Sequence, residues 1–489
     1  MNGKNWLHLW EDLTGVLCLS TRLVEMRLNF IGNNIRMLST EQRTPKVCII
    51  GAGPAGFYAA QQMLKGLNDV TIDILEKLPL PFGLVRFGVA PDHPEVKNVL
   101  NTFHKTATNP RVQFLGNINI GTDVTVPQLR ELYDAVLLTF GAQKDQKLNI
   151  PGENLENIIS GRRFVGWYNG VPTDKDLEIN LNVEEVVIIG QGNVAVDITR
   201  ILLMPVDKLK NTDITSYALD RLSQSRVRKV SMIGRRGPLQ VAFTIAELRE
   251  LIKLENMKTV WRPQDFAGVQ TIVPTLARPR KRLTELMLKS LEESMNLTNN
   301  STYTKELHPI FLRSPLEFRG TDHVKSIRLS VNRLRGDMIQ NQVAEAIGEF
   351  EEITCGLALR SIGYKSLQID NSIPFDVRKG RVENVAGKVD GNLYSTGWAA
   401  TGPVGVILST MTNAFEVGRL ICKELKGSLK ENKAGSDGLR KILDSKGVQI
   451  VSYSDWEKID RVECERGKQL GKSREKIVDI AEMLKIAAT

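Results

Sequence analysis

Cysteine is scarce in this 489-residue chain, which has only five, at positions 18, 48, 355, 422 and 464. No two of them form the C-x-x-C pair that a redox dithiol or half of a zinc site requires. The sequence therefore predicts no metal site and no electron transfer through a disulfide, and the scattered thiols are typical of a reducing compartment. If the protein moves electrons, a bound flavin has to carry them.

Long apolar runs are also missing, since no stretch approaches the ~18 to 20 uninterrupted apolar residues of a membrane-spanning helix. The 42% apolar and 25% charged residues are typical of a soluble globular protein. Basic residues exceed acidic ones only modestly, giving a formal charge of +9. Zinc-finger spacings, aromatic RNA-binding motifs and long Lys/Arg runs are absent, so we expect an acidic protein partner and no nucleic acid.

Acidic residues are absent from residues 26–40, which contain Arg27 and Arg36. That composition is typical of a mitochondrial targeting peptide. Residues 1–25 contain three acids, so Met26 is an alternative start, or these residues are an isoform extension. We interpret residues 1–44 as a targeting peptide; the alternative is a disordered terminus.

The chain does contain two glycine-rich turns, each after an apolar strand. The first follows a predicted strand at 46–50 and has the spacing G-x-G-x-x-G over Gly51, Gly53 and Gly56. A predicted helix to about residue 67 and a second strand ending at Glu76 come next. Strand, turn, helix, strand and acid form an adenosine-binding unit, in which Glu76 accepts hydrogen bonds from ribose hydroxyls.

The second turn follows a strand at 185–189 and contains Gly190 and Gly192, with Ala195 at the third small position. The next strand of this unit ends at Arg235 and Arg236 rather than at an acid. Guanidinium groups bind a 2′-phosphate that a carboxylate would repel, so the turn predicts NADPH rather than NADH. The alternative is a solvated pair of arginines. Arg235 follows Gly190 by many more than the ~20 residues usual between the glycine turn and the residue that ends the next strand. We therefore interpret residues 205–227 as an insertion after the helix.

Three further segments carry weaker signals. The Pro/Gly-rich loop at 79–94 is too apolar for a linker and too irregular for a regular element, and it either faces a flavin or fills the core. Its His93 is interpreted as a structural hydrogen-bonding residue rather than a proton shuttle. Residues 277–282 form the densest basic cluster, and a strand, a glycine-rich turn and a helix follow one another between residues 392 and 425. The tail after residue 426 carries no recognisable chemistry.

Taken together, the two turns and the segments 84–94, 164–170, 190–193, 234–238 and 397–398 resemble the NADPH-dependent adrenodoxin (ferredoxin) reductase family. The likeness runs from about residue 46 to the C-terminus. It implies an α/β, glutathione-reductase-like fold with two Rossmann-like dinucleotide-binding domains. A discontinuous FAD domain would comprise residues 45–143 and 363–489, with an NADPH domain at 144–362 between its parts.

The resemblance also assigns residues by position. The FAD contacts would be Gly51, Gly53, Ala55, Gly56, Glu76, Leu84, Ile120, Trp398, Gly405, Val406 and Ile407. The NADPH contacts would be Gly190, Gln191, Gly192, Asn193, Arg235, Arg236, Glu247 and Gly405. At Ile120 the family usually has valine. Arg278 and Arg282, inside the basic cluster, would dock an acidic [2Fe-2S] ferredoxin; the alternative is a solvated charge run.

The implied function is electron transfer from NADPH through FAD, one electron at a time, to that ferredoxin in the mitochondrial matrix. Cytochrome P450 hydroxylation and iron-sulfur assembly both draw on such ferredoxins. The chain lacks the four-cysteine ligand set of a cluster, so the ferredoxin is a separate protein. Positioned cofactors do the chemistry, so no catalytic side chain is predicted. A monomer is expected, and association with the inner-membrane surface stays open.

Two rival functions remain at this point. A flavin-dependent electron donor of the glutamate-synthase small-subunit type shares the two-nucleotide layout, but needs an N-terminal cysteine-rich region that is absent here. A nucleotide sensor without turnover would keep the fold alone. A disulfide reductase is excluded because the required cysteine pair is missing.

Overall fold

The computed structural model describes residues 43–296, 303–405, 407–427 and 432–489. Residues 1–42, most of the predicted targeting peptide, lie outside this range. The first part of the fold alternates strands and helices: β1 (Lys46–Ile50), α1 (Pro54–Gly66), β2 (Thr71–Leu75), α2 (Leu84–Phe87), α3 (Leu100–Ala107), β3 (Val112–Gly116), α4 (Val126–Leu132) and β4 (Ala135–Leu138). Helix α2 lies in the loop at 79–94, so the prediction that this loop lacks regular structure is wrong for one turn.

The middle of the chain forms a second alternating unit. Its elements are β5 (Lys144–Asp145), β6 (Ile158–Ser160), α5 (Gly161–Asn169), β7 (Glu185–Ile189), α6 (Asn193–Leu203), α7 (Ser216–Ser223), β8 (Lys229–Ile233), α8 (Ile245–Leu251), β9 (Met257–Thr259), α9 (Val269–Ile272), α10 (Arg278–Met295), β10 (Lys305–Ile310), β11 (Arg313–Gly320), β12 (Val324–Arg335), β13 (Val343–Thr354) and β14 (Leu357–Arg360). Helix α7 lies inside the predicted insertion at 205–227.

The last part consists of short strands followed by long helices. These are β15 (Tyr364–Lys365), β16 (Phe375–Asp376), β17 (Arg381–Val382), β18 (Lys388–Asp390), β19 (Leu393–Ser395), α11 (Trp398–Thr401), α12 (Ile407–Leu425), α13 (Ser436–Ser445), β20 (Val451–Ser452), α14 (Tyr453–Gln469) and α15 (Ile480–Ala487). Among the described residues, no helix has both the length and the apolar character needed to cross a bilayer.

The first sheet has the strand order β18-β19-β4-β1-β2-β3-β20. Its five inner strands are parallel, and Val47 of β1 lies opposite Ile72 on one side and Ala135 on the other. Val47 and Ile49 belong to the apolar core that includes α1 and α12, whereas Cys48 and Ile50 belong to the core that includes α4 and α13. Because both faces are covered, the strand is apolar at nearly every position.

The second sheet is parallel throughout, in the order β6-β14-β7-β8-β10-β9. One face packs against helices α5, α6 and α10. The other face packs Val187 and Ile189 against Phe318, Ile327 and other apolar residues of an antiparallel sheet formed by β11, β12 and β13.

The predicted α/β class with two Rossmann-like sheets is confirmed, and the first sheet takes strands from both ends of the chain. The two connections between the sheets pair with each other, since β5 and β15 form an antiparallel ribbon. The exact division at residues 143 and 362 stays a prediction.

Candidate cofactor and nucleotide sites

The three glycines after β1 have different structural roles. Gly51 has a φ of +113°, and a Cβ there would lie 2.6 Å from the carbonyl oxygen of Thr139. A Cβ on Gly56 would lie 2.3 Å from the Gly51 carbonyl oxygen, so helix α1 can approach the turn only with glycine there. A Cβ on Gly53 would meet no atom within 4 Å. The turn is therefore open where the N-terminus of α1 can receive a pyrophosphate.

Glu76 lies beside this turn and binds it. Its carboxylate accepts hydrogen bonds from the backbone N–H groups of Ala52 at 2.9 Å and Leu78 at 3.3 Å. Burial raises the pKa of Glu76, and these backbone hydrogen bonds oppose the rise. A carboxylate has lone pairs for further donors, such as ribose hydroxyls. Ile120 is buried in the same core as Leu75, next to Glu76.

Two loops converge on the first turn. A Cβ on Gly83 would lie 3.1 Å from the Cα of Gly53, which places the loop leading to Leu84 against the turn. A Cβ on Gly397 would lie 2.6 Å from the Cβ of Ala55, which places the loop leading to Trp398 there too.

The indole N–H of Trp398 is buried and has no hydrogen-bond partner in the described part of the chain. Gly405 has a φ of +85° and Ile407 begins α12. Val406 lies outside the described residues. The open turn and the unpartnered indole N–H fit a bound FAD. No described protein group fills the space at the turn or accepts a hydrogen bond from the indole, so both are available to a ligand.

The second glycine turn repeats the arrangement of the first. Gly190 has a φ of +124°, and its Cβ would lie 2.1 Å from the Ser361 carbonyl oxygen, whereas a Cβ on Gly192 would meet nothing within 4 Å. The side-chain nitrogen Nε2 of Gln191 donates to the carbonyl oxygens of Met232 and Ile310, both in the sheet. The side chain of Gln191 is therefore directed into the sheet, and its backbone remains the group available to a nucleotide.

Asn193 joins this turn to the segment before α8, because its Oδ1 accepts a hydrogen bond from the N–H of Thr244 at 3.0 Å. Thr244 in turn caps α8 by accepting from the N–H of Glu247. Glu247 is thus held close to the second turn.

Arg235 and Arg236 lie on an anchored turn after β8. The carbonyl oxygen of Arg235 accepts from Asn332 Nδ2 at 3.0 Å, and that of Arg236 accepts from the N–H of Leu312 at 3.1 Å. Both anchors come from β12 and from the residue just before β11. Arg235 is exposed and Arg236 half-buried. The fixed backbone and accessible guanidinium groups suit a phosphate.

Sequence reasoning missed a buried ion-pair cluster where the two units meet. Arg200 of α6 is 2% exposed and binds Asp92 of the loop at 79–94, Asp197 at 2.7 Å and Glu247 at 3.2 Å. His93 Nε2 lies 2.7 Å from a carboxylate oxygen of Glu250, in keeping with its predicted role in hydrogen bonding. The loop therefore bridges the two units.

The same loop also fills the core, since Phe82 and Phe87 are buried in the first unit. Burial raises the pKa of Asp197 to about 6, although Arg200 opposes the rise. The signal for this cluster in the sequence is weak: an Asp and an Arg three residues apart on a largely apolar helix, and an Asp-His pair between prolines.

The basic cluster begins helix α10. Arg278 and Arg282 are exposed and lie four residues apart, so they share one face of the helix. Arg280 lies on another face, and its Nη1 donates to the carbonyl oxygen of Val241 at 2.9 Å.

Comparisons with known proteins agree with this geometry. A family model described as pyridine nucleotide-disulphide oxidoreductase matches residues 45–237. The NADPH:adrenodoxin oxidoreductase, mitochondrial, of Salvelinus fontinalis is 50% identical over 92% of each chain, and that of Homo sapiens is 48% identical over 92% of this chain and 93% of its own. The structure of Mycobacterium tuberculosis FprA in complex with NADPH has a TM-score of 0.86 at 36% identity, over 91% of this chain and all of that one. The chain therefore belongs to the NADPH:adrenodoxin oxidoreductase family.

Proposed function

We propose that this protein is a mitochondrial NADPH-dependent flavoprotein reductase that delivers electrons singly to a [2Fe-2S] ferredoxin of the adrenodoxin type. The observation that carries the proposal is the pair of open glycine turns beside groups of opposite charge, Glu76 at the first and Arg235 with Arg236 at the second. Buried ion pairs of Arg200 join the two units.

The first turn would hold FAD. Its open side at Gly53 would receive the pyrophosphate, Glu76 the ribose, and the indole N–H of Trp398 would donate a hydrogen bond to the bound group. Ala55, Leu84, Ile120 and Ile407 lie on the elements that converge here. FAD supplies what the side chains lack, the capacity to accept an electron pair from NADPH and to release the electrons one at a time.

The second turn would hold NADPH. Its open side at Gly192 would receive the pyrophosphate, and the guanidinium groups of Arg235 and Arg236 would bind the 2′-phosphate. No side chain needs to act as nucleophile or base, so the residues of this chain contribute binding, orientation and exclusion of water.

Arg200 orients the two units by tying Asp92 of the first to Asp197 and Glu247 of the second. Because Arg200 is buried, water screens these ion pairs only weakly.

The acidic ferredoxin would dock on the exposed face of α10 that carries Arg278 and Arg282. We place the protein in the mitochondrial matrix and take it to act as a monomer. The relatives are named as mitochondrial proteins, and residues 26–40 have the composition of a targeting peptide.

The experiment compares two electron acceptors. Purified full-length protein is mixed with NADPH and either an artificial dye or adrenodoxin at low and high salt. We expect a yellow protein that reduces both acceptors, with the adrenodoxin reaction weakened by salt. The variant with Arg278→Glu and Arg282→Glu should raise the KM for adrenodoxin at least about 10-fold and leave dye reduction unchanged.

Lys289→Glu on the same helix, where the side chain is 73% exposed, is the matched charge control and should leave both reactions unchanged. A colourless protein, or a yellow one that reduces neither acceptor, would reject the reductase in favour of a nucleotide sensor. Loss of dye reduction in the double variant would show that the two arginines are structural or bind nucleotide.

A further inference from the structure

We propose that Arg280 supplies a third guanidinium group to the site for the 2′-phosphate of NADPH, an inference that rests on the nucleotide site proposed above. The sequence places Arg280 inside the basic cluster assigned to the partner protein. In the structure its side chain is turned away from that surface and contacts the carbonyl oxygen of Val241.

The helical geometry of α10 separates the three arginines. An α-helix turns by about 100° per residue, so residues four apart share a face and a residue midway between them lies about 200° from each. Arg278 and Arg282 are accordingly exposed, whereas Arg280 is half-buried. One helix thus carries the proposed ferredoxin-docking pair on one face and a single inward-facing guanidinium group on the other.

The hydrogen bond made by Arg280 places it next to the turn after β8 that carries Arg235 and Arg236, called here the arginine turn. Its Nη1 donates to the carbonyl oxygen of Val241 at 2.9 Å. Val241 directly follows the short helical turn Pro238–Gln240, which itself follows Arg235 and Arg236. The next two residues, Ala242 and Phe243, both donate their N–H groups to the carbonyl oxygen of Gln191 in the second glycine turn. Arg280 is therefore attached to the segment that connects the arginine turn to the glycine turn.

The charges around Arg280 are unbalanced. Burial and the charge of Arg236 both lower the pKa of Arg280. Within the described ranges, no carboxylate forms an ion pair with Arg235, Arg236 or Arg280, whereas each of the buried arginines Arg86, Arg200 and Arg313 has an acidic partner. A half-buried cation beside another cation is unfavourable unless an anion arrives to balance them. A phosphate dianion between these groups would remove the repulsion and gain charge-assisted hydrogen bonds.

A neutral donor would satisfy the Val241 carbonyl equally well, so the charge of Arg280 has no structural partner among the described residues. We assign it to the phosphate. Arg280 then acts as a specificity-determining residue, because it contributes binding energy to NADPH that NADH cannot use.

The test measures binding rather than turnover. Dissociation constants for NADP+ and NAD+ are measured by titration calorimetry on the oxidised holoenzyme for the wild type, Arg280→Gln, Arg280→Lys and the neighbouring control Lys281→Gln. We expect Arg280→Gln to weaken NADP+ binding at least about 10-fold, the size of one charge-assisted hydrogen bond, and to change NAD+ binding less than about twofold. Arg280→Lys should recover part of the loss, and Lys281→Gln should change neither constant by more than about twofold.

The thermal midpoint of each variant separates binding from folding. Equal weakening of NADP+ and NAD+, or a lowered midpoint without a selective loss of NADP+, would show that Arg280 only holds α10 in place and would overturn the inference. Unchanged binding of NADP+ by Arg280→Gln would overturn it as well. A wild type that does not prefer NADP+ to NAD+ would instead reject the proposed nucleotide site itself.

Discussion

At the scale of single residues, charge at the end of the second strand distinguishes the two nucleotide units. Glu76 ends the first βαβ unit and is held by the N–H groups of Ala52 and Leu78. Arg235 and Arg236 occupy the equivalent place in the second unit. A ribose hydroxyl donates to a carboxylate, whereas a 2′-phosphate needs a cation, so this difference predicts which nucleotide each unit takes.

We expect the variant with Arg235→Ala and Arg236→Ala to lose kcat/KM for NADPH by about 100-fold or more, because two charge-assisted hydrogen bonds are removed. The value for NADH should change less than about threefold. Steady-state dye reduction with each nucleotide measures both values. Arg226→Ala is the control, since this arginine is 63% exposed and belongs to the same unit. An equal loss with both nucleotides would contradict the 2′-phosphate role.

At the scale of elements, each glycine turn contains two kinds of position: some where a side chain would clash with the protein, and one where it would enter the space proposed for a nucleotide. Gly56 is required by the approach of α1 to its own turn, whereas a Cβ added to Gly53 would meet no protein atom within 4 Å. The spacing G-x-G-x-x-G alone does not distinguish the two roles, because it gives no distances between helix and turn.

Gly53→Ala should therefore leave the thermal midpoint of the apoprotein unchanged and weaken FAD binding. Gly53 has a φ of −89°, which alanine adopts readily, and the added methyl group would enter the space proposed for the pyrophosphate. The visible flavin absorbance of the purified protein and a titration with FAD measure the loss. Gly56→Ala is the contrasting variant and should lower the midpoint of the apoprotein too. Full flavin affinity in Gly53→Ala would place the cofactor elsewhere.

Two segments without predicted roles, the insertion at 205–227 and the C-terminal tail, meet in the structure. The tail adds β20 to the first sheet and returns to contact the insertion. Glu475 accepts a hydrogen bond from the N–H of Ser216 at the start of α7 at 3.1 Å, and Lys472 Nζ donates to the Ile214 carbonyl oxygen. These elements fasten the first unit to the second on the insertion side.

At the scale of the whole molecule, the two units are joined by the antiparallel ribbon of β5 and β15 and by two sets of ion pairs, one around Arg200 and one around Asp213. Asp213 of the insertion is central to one set: its carboxylate lies 2.6 Å from Lys97 Nζ and 3.1 Å from Lys476 Nζ. Burial opposes ionisation of Asp213, but the charges of Lys476 and Lys97 hold its pKa well below the usual range. The contribution to stability is therefore present above the ordinary pKa of about 4 and is lost as the pH falls below it.

Asp213→Asn should lower the thermal midpoint of the holoprotein near pH 7 by about 5 °C or more, because two buried ammonium groups lose their shared partner. Calorimetry between about pH 7 and pH 3 should show the gap to wild type narrowing below about pH 4, where Asp213 of the unfolded chain begins to take up a proton while that of the folded protein stays ionised. Asp207→Asn is the control, since that side chain is 83% exposed and lies on the same insertion. A gap that does not depend on pH would contradict this assignment.

The family and the α/β class followed from local patterns in the sequence and are confirmed, because strand–turn–helix order and glycine spacing reflect backbone geometry within a few neighbouring residues. The site residues stay predictions, and the tertiary structure adds what supports them: the open space at Gly53 and Gly192 and the convergence of the Leu84 and Trp398 loops on the first turn. Sequence distance hides such contacts. Asp92 and Arg200, or Asp213 and Lys476, meet only when the two sheets are assembled.

The amino-acid sequence by itself therefore determined which nucleotides this protein is built for, since a carboxylate and two guanidinium groups differ chemically wherever they lie. Only the tertiary structure decided which arginines of the basic cluster are exposed, on the face proposed for the partner, and which one packs beside Val241. Composition describes residues 277–282 as one charge run, but the period of α10 and its packing beside Val241 direct Arg278 and Arg282 outward and Arg280 inward. Packing against residues far apart in the chain decides which face of a helix is buried and which is exposed.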